Sequence, residues 1–140
     1  MNPQMVFGPV FAMVALTFGL MFWMASARTR AIKRGEVKIR DMALGQSVWP
    51  VREQQVSNAY HNQFQLPLLF YVLVILAYLT KHADLLFVLM SWVFVVLRYF
   101  HAYVHVTSNH VPNRFMVFAV GAVLLFAMWV IYFLRLMLLI

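Results

Sequence analysis

Apolar residues fall in four long runs, separated by polar interruptions of different lengths. The first run, Met5 to Ala25, contains no charged residue. At 1.5 Å per residue it crosses a hydrocarbon layer of about 30 Å. Pro9 sits in its first turns, where a missing N–H costs least, so the pattern predicts a helix over about 5–25. A long polar loop over 26–50 follows, with Gly35 and Gly45 as turn markers. The second predicted helix, about 51–80, changes character midway. It is polar from Gln54 to Gln65 and apolar from Leu66 to Leu79, with Pro67 near the junction predicting a mild kink. Lys81-His82-Ala83-Asp84 reads as a tight turn. Two more spans, about 85–106 and 113–138, are joined by the short polar link 107–112. The expected architecture is an all-α membrane protein, a single domain over 1–140 with four transmembrane helices in an up-down bundle.

The two middle helices carry polar stripes inside the apolar runs. At 100° per residue, Gln54, Asn58, His61, Asn62 and Gln65 share about one third of their helix circumference. On the third helix, Ser91, Arg98, His101 and His105 fall within an arc of about 80°. A stripe that enters the bilayer must be hidden against protein, a ligand or a water-filled cleft. An intramembrane arginine costs at least ~2.5 kcal/mol, so Arg98 should face a partner or water. Arg114 opens the fourth helix, where it can snorkel to headgroups or stand at the mouth of a cleft. Convergence of the two stripes points to a site for an anionic small molecule. Interhelical hydrogen bonds that only lock the bundle would use the same residues. His101 and His105 have the i, i+4 spacing of a metal pair, but no Cys, Asp or Glu neighbours them, so no metal is expected.

Composition agrees with the membrane class and narrows the chemistry. Hydrophobic residues make up 64% of the 140 positions and charged residues 11%, against ~25% charged in a soluble domain. The net charge of +7 does not mark a nucleic-acid surface. Seven of the eleven Lys and Arg residues are Arg28, Arg30, Lys33, Arg34, Lys38, Arg40 and Arg52, positioned as a topology signal and for contact with anionic lipid headgroups. With Arg114 they outweigh Lys81 and Arg135 on the other side. The loops 26–50 and 107–112 are therefore expected in the cytoplasm and both termini outside it. Ala25-Ser26-Ala27 mimics a signal-peptidase site, but residues 1–5 lack a positive charge and the basic cluster follows the apolar run, so the first helix is expected to stay uncleaved. There is no cysteine, and the four acids are Glu36, Asp41, Glu53 and Asp84. None lies on the stripes' shared arcs, which removes carboxylate acid–base chemistry. There is also no Ser-His-Asp set and no Gly-rich phosphate loop.

Arg98, His101, His105, Pro112-Asn113-Arg114, Phe118 and Gly121 together resemble the MAPEG family, the membrane-associated proteins in eicosanoid and glutathione metabolism. The run from Asn58 through His61, Asn62 and Gln65 to Pro67 is similar to the family's second-helix motif. Arg28 to Arg40, with Gly35-Glu36-Val37 and then Asp41, resembles the first loop of bacterial members. The resemblance implies a homotrimer in a bacterial inner membrane, with glutathione bound between protomers and a hydrophobic small-molecule substrate arriving through the lipid. It implies a glutathione-dependent transferase or peroxidase acting on hydrophobic electrophiles. By position, Arg114 matches the arginine that stabilises the glutathione thiolate, and Asn62 and His101 match glutathione contacts. Arg30 or Arg28 matches a first-loop arginine, and Arg98, Asn58, His61, Gln65 and His105 complete the expected cofactor-binding set. The departures are specific. Asn58 stands where the transferases and synthases carry an arginine, Gln65 where they carry a glutamate, His105 where they carry a tyrosine, and Phe115 where some synthases have a serine. These changes keep open a second reading, a non-catalytic membrane binding or scaffold protein with the same fold.

Overall fold

A computed structural model describes residues 2–36 and 49–138, so Lys38, Arg40, Asp41 and Gly45 of the polar loop lie outside the described residues. Among the described residues there are five helices: α1 Pro3–Lys33, α2 Val51–Asn62, α3 Leu66–Leu79, α4 Leu85–Val106 and α5 Val111–Leu138. With α2 and α3 taken as one unit, they give four spans long and apolar enough to cross a membrane. This is an all-helical integral membrane protein.

Local chemistry sets the helix ends. The Asn2 side chain accepts the Met5 N–H at 2.9 Å, and Pro3 occupies the first helical position, both favoured at a helix start. α1 continues beyond the expected Ala25 to Lys33, because apolarity sets the span while propensity sets the helix. The stretch after Ala25 is rich in Ala, Arg and Lys, good helix formers, and Arg30 and Lys33 in its last turn complement the helix dipole. Gly35, at φ +76°, follows the stop with a conformation that suits glycine. At the other end of the bundle, the Asp84 carboxylate accepts the Phe87 N–H at 3.0 Å and caps α4.

The expected continuous helix over 51–80 is corrected to two helices with a break at 63–65. The N–H groups of Gln63, Phe64 and Gln65 turn back to the carbonyls of Tyr60, His61 and Asn62 at 3.0–3.2 Å. Pro67 falls in the first turn of α3, where its missing N–H breaks no helical bond. The chain thus stops one helix and starts another where a mild kink was expected.

α4 is the central helix. It packs against α1, α2 and α5, and 44% of its most apolar stretch is buried, against 22–33% for the other spans. Phe70 of α3 stacks on Phe94 of α4 with ring centroids 4.8 Å apart. Leu73, Val74, Leu125 and Met128 complete the centre of this core. Lipid tails are as apolar as these side chains, so close packing rather than expulsion of water holds such helices together. Gly8 shows how close the approach is: a Cβ there would lie 3.2 Å from the Trp92 ring.

Candidate functional site

A cleft of about 450 Å³ opens where α2, α4 and α5 meet, at the end of the bundle that carries the α4–α5 turn. Asn58, His61, Asn62 and Gln65 line it from α2 and the break, His101 and His105 from α4, and Arg114 from α5. Helical periodicity had put each set on one face, and the fold turns the two faces toward each other. Val111, Phe115 and Phe118 form an apolar wall. His101 and His105 are buried, with ring centroids 4.6 Å apart, and His101 also tilts against Phe118 at 5.8 Å. The Nδ1 atoms of both histidines have no hydrogen-bond partner among the described residues. Buried polar atoms of this kind are rarely left so, and each calls for a ligand or water.

Arg98 shares the arc of the two histidines but does not line the cleft. Its side chain is 1% exposed and runs behind the cleft to the end of α2. Nη2 donates to the Asn62 backbone carbonyl at 3.2 Å and to Asn62 Oδ1. Arg98 therefore caps the α2 carbonyl end, where positive charge is favoured, and fixes the Asn62 amide. Asn62 Nδ2 then donates to Gln65 Oε1 at 3.1 Å. Nε and Nη1 of Arg98 have no partner among the described residues. The expected cofactor contact is thus a buried support behind Asn62.

Arg114 lies in the first turn of α5 and faces the cleft. Its Nη1 donates to Asn109 Oδ1 at 2.8 Å. Asn109 lies in the left-handed region at φ +49°, and its N–H bonds the Val104 carbonyl at 2.7 Å, closing the end of α4. Sequence reasoning passed over Asn109. The available signal was an asparagine in a four-residue link between helices, the side chain that best tolerates this conformation after glycine.

Arg30 does not reach the cleft; it is exposed in the last turn of α1. Arg28, the other first-loop candidate, donates from Nη2 to Ser57 Oγ at 2.7 Å and lies over the Trp49 ring at 4.7 Å. Arg52 lies over Trp23 at 5.1 Å in the same way. These arginines join α1 to the start of α2. Among the described residues no acidic side chain lines the cleft, and no three His or acidic groups gather as a metal site. A cleft with one guanidinium at its wall, another buried behind it and no carboxylate favours an anion. Its size fits a small ligand.

The model of the MAPEG family matches residues 6–134 of the chain. No curated protein and no solved structure matches it.

Proposed function

Since this chain belongs to the MAPEG family, we propose that it is a thiol-dependent transferase or peroxidase that uses glutathione against hydrophobic electrophiles. The observation that carries this reading is the meeting of the two polar stripes and Arg114 in one cleft beside an apolar wall. The residues fit the tripeptide in part. Its two carboxylates and a thiolate match a cationic cleft rich in amide and imidazole groups. For its ammonium the α2 side of the cleft offers the amides of Gln65 and Asn58. Glutathione supplies the nucleophilic sulfur when bound. Arg114 contributes a positive charge that favours thiolate over thiol. Asn62, held by Arg98, and His101 orient the peptide. Val111, Phe115 and Phe118 receive the apolar partner at the lipid side. With an aryl halide, a C–S bond forms, the carbon–halogen bond breaks with its electron pair leaving on halide, and the thiol proton passes to water.

The assembly proposed is a homotrimer in a bacterial inner membrane, with the cleft between protomers and near the cytoplasm. The exposed Phe115, which lines the cleft, supports a covered wall. The basic residues at this end of α1 support its cytoplasmic orientation. The test is purified protein with glutathione and a reactive aryl halide, followed by absorbance, together with calorimetric titration of glutathione alone. Turnover and a binding heat are expected, and their joint absence sinks the proposal.

One observation favours a second reading, a binding or scaffold protein without chemistry. The α2 wall is bonded within itself: Gln54 Nε2 donates to Asn58 Oδ1 at 2.8 Å, and Asn62 to Gln65 at 3.1 Å. Binding heat without turnover would select this alternative.

A further inference from the structure

Arg114 occupies an unfavourable place for a cation. It lies in the first turn of a helix, where the dipole is positive and a like charge is disfavoured. Among the described residues no acid lines the cleft to neutralise it. What holds it is the Asn109 side-chain oxygen, 2.8 Å from Nη1. Asn109 is itself fixed, with φ +49° and its N–H on the Val104 carbonyl. The α4–α5 turn therefore presents one oriented, uncharged acceptor to the guanidinium.

We propose that Asn109 is a positioning residue for Arg114, built into the turn so that the guanidinium is aimed at the cleft while its full charge stays available to an anion. A carboxylate at this position would orient Arg114 equally well but cancel the charge. Glycine would keep the left-handed turn and lose the hold, whereas alanine would strain the turn. The choice of asparagine satisfies both needs. The inference rests on the functional reading for its purpose, but the hold itself is independent of any ligand.

Two variants separate orientation from charge. The first readout needs no activity: the rate at which phenylglyoxal modifies Arg114, resolved by peptide mass spectrometry, with exposed Arg30 as internal reference. In Asn109→Gly the Arg114 rate should rise roughly ten-fold over wild type, the order of one hydrogen bond to a charged group, while Arg30 is unchanged. In Asn109→Asp it should stay at or below the wild-type rate. The second readout is glutathione: the thiolate absorbance and calorimetric affinity should fall in Asn109→Gly, and in Asn109→Asp as well despite the slow labelling. Equal Arg114 labelling in wild type and Asn109→Gly would overturn the proposal, as would Asn109→Asp binding glutathione as tightly as wild type. If wild type binds no glutathione, the functional reading fails and labelling alone decides whether Asn109 holds Arg114.

Discussion

The two ends of the bundle treat arginine in opposite ways. At the end with the short 80–84 turn, Arg135 meets Asp84 at 2.8 Å, and Thr80 Oγ1 pairs with the Tyr132 hydroxyl at 3.2 Å. That cation is neutralised within the fold. At the cleft end, Arg98 is held by Asn62 and Arg114 by Asn109. Both holders are neutral amides, and two Arg98 nitrogens have no partner among the described residues. A cation serving structure is best met by a carboxylate, because the ion pair is complete within the fold. A cation meant for an outside anion is better held by dipoles, which fix its direction and leave its charge.

This contrast can be broken most directly at Arg114. Arg114→Ala should lower thiol-dependent turnover roughly a hundred-fold or more, the scale for removing one donor from a developing negative charge. An aryl-halide assay at saturating glutathione reads it, and retention of most of the rate would put the chemistry elsewhere. Next comes Arg98→Met, which leaves the Asn62 carbonyl and amide oxygen without their donor, a loss of about 1–3 kcal/mol. Glutathione affinity should fall about ten-fold, and the detergent thermal midpoint should fall with it. Unchanged affinity would make Arg98 a purely structural residue.

Gln65→Glu sharpens the comparison from the other side by placing a carboxylate in the cleft. If the ligand carries an ammonium, calorimetry should show binding tightened by roughly a few-fold through a charge-assisted bond. Weaker binding would mark a ligand that is anionic only. The smallest effect is expected at the neutralised end. Asp84→Asn should cost about 0.5 kcal/mol, as for an exposed ion pair, and leave turnover intact. Partial burial raises the Asp84 pKa, but the Arg135 hydrogen bond, the Phe87 N–H and the nearby positive charge outweigh it and hold the group below its ordinary value. A depressed carboxylate contributes its stability above the unfolded pKa of about 4 and loses it as pH falls through the folded value. The wild-type thermal midpoint should therefore drop below about pH 4 more steeply than that of Asp84→Asn.

Spans and stripes were legible because both follow from periodicity. The apolar runs give the four crossings, and 100° arithmetic places Asn58, Asn62, His101 and His105 on faces that meet in the cleft. Periodicity alone does not tell where a long side chain ends. Arg98 lies on the same arc as the histidines, yet it reaches to the α2 carbonyl end instead. Arg30 was assigned by resemblance to a first-loop arginine, but α1 stays helical to Lys33 and Arg30 does not line the cleft. The break at 63–65 was misread because Pro67 was taken as an interior residue rather than a starter. Asn109 was missed because a turn residue's role depends on which side chain the next helix returns to it.

The break has one more consequence. Because α2 and α3 end and begin separately, the wall of the cleft and the membrane anchor do not share one helical register. A residue inserted at 63–65 would turn α2 by about 100° relative to a continuous helix without altering the order of residues that fastens α3 to α1 and α5. The pocket wall can thus drift in sequence, length and rotation while its mooring stays in place.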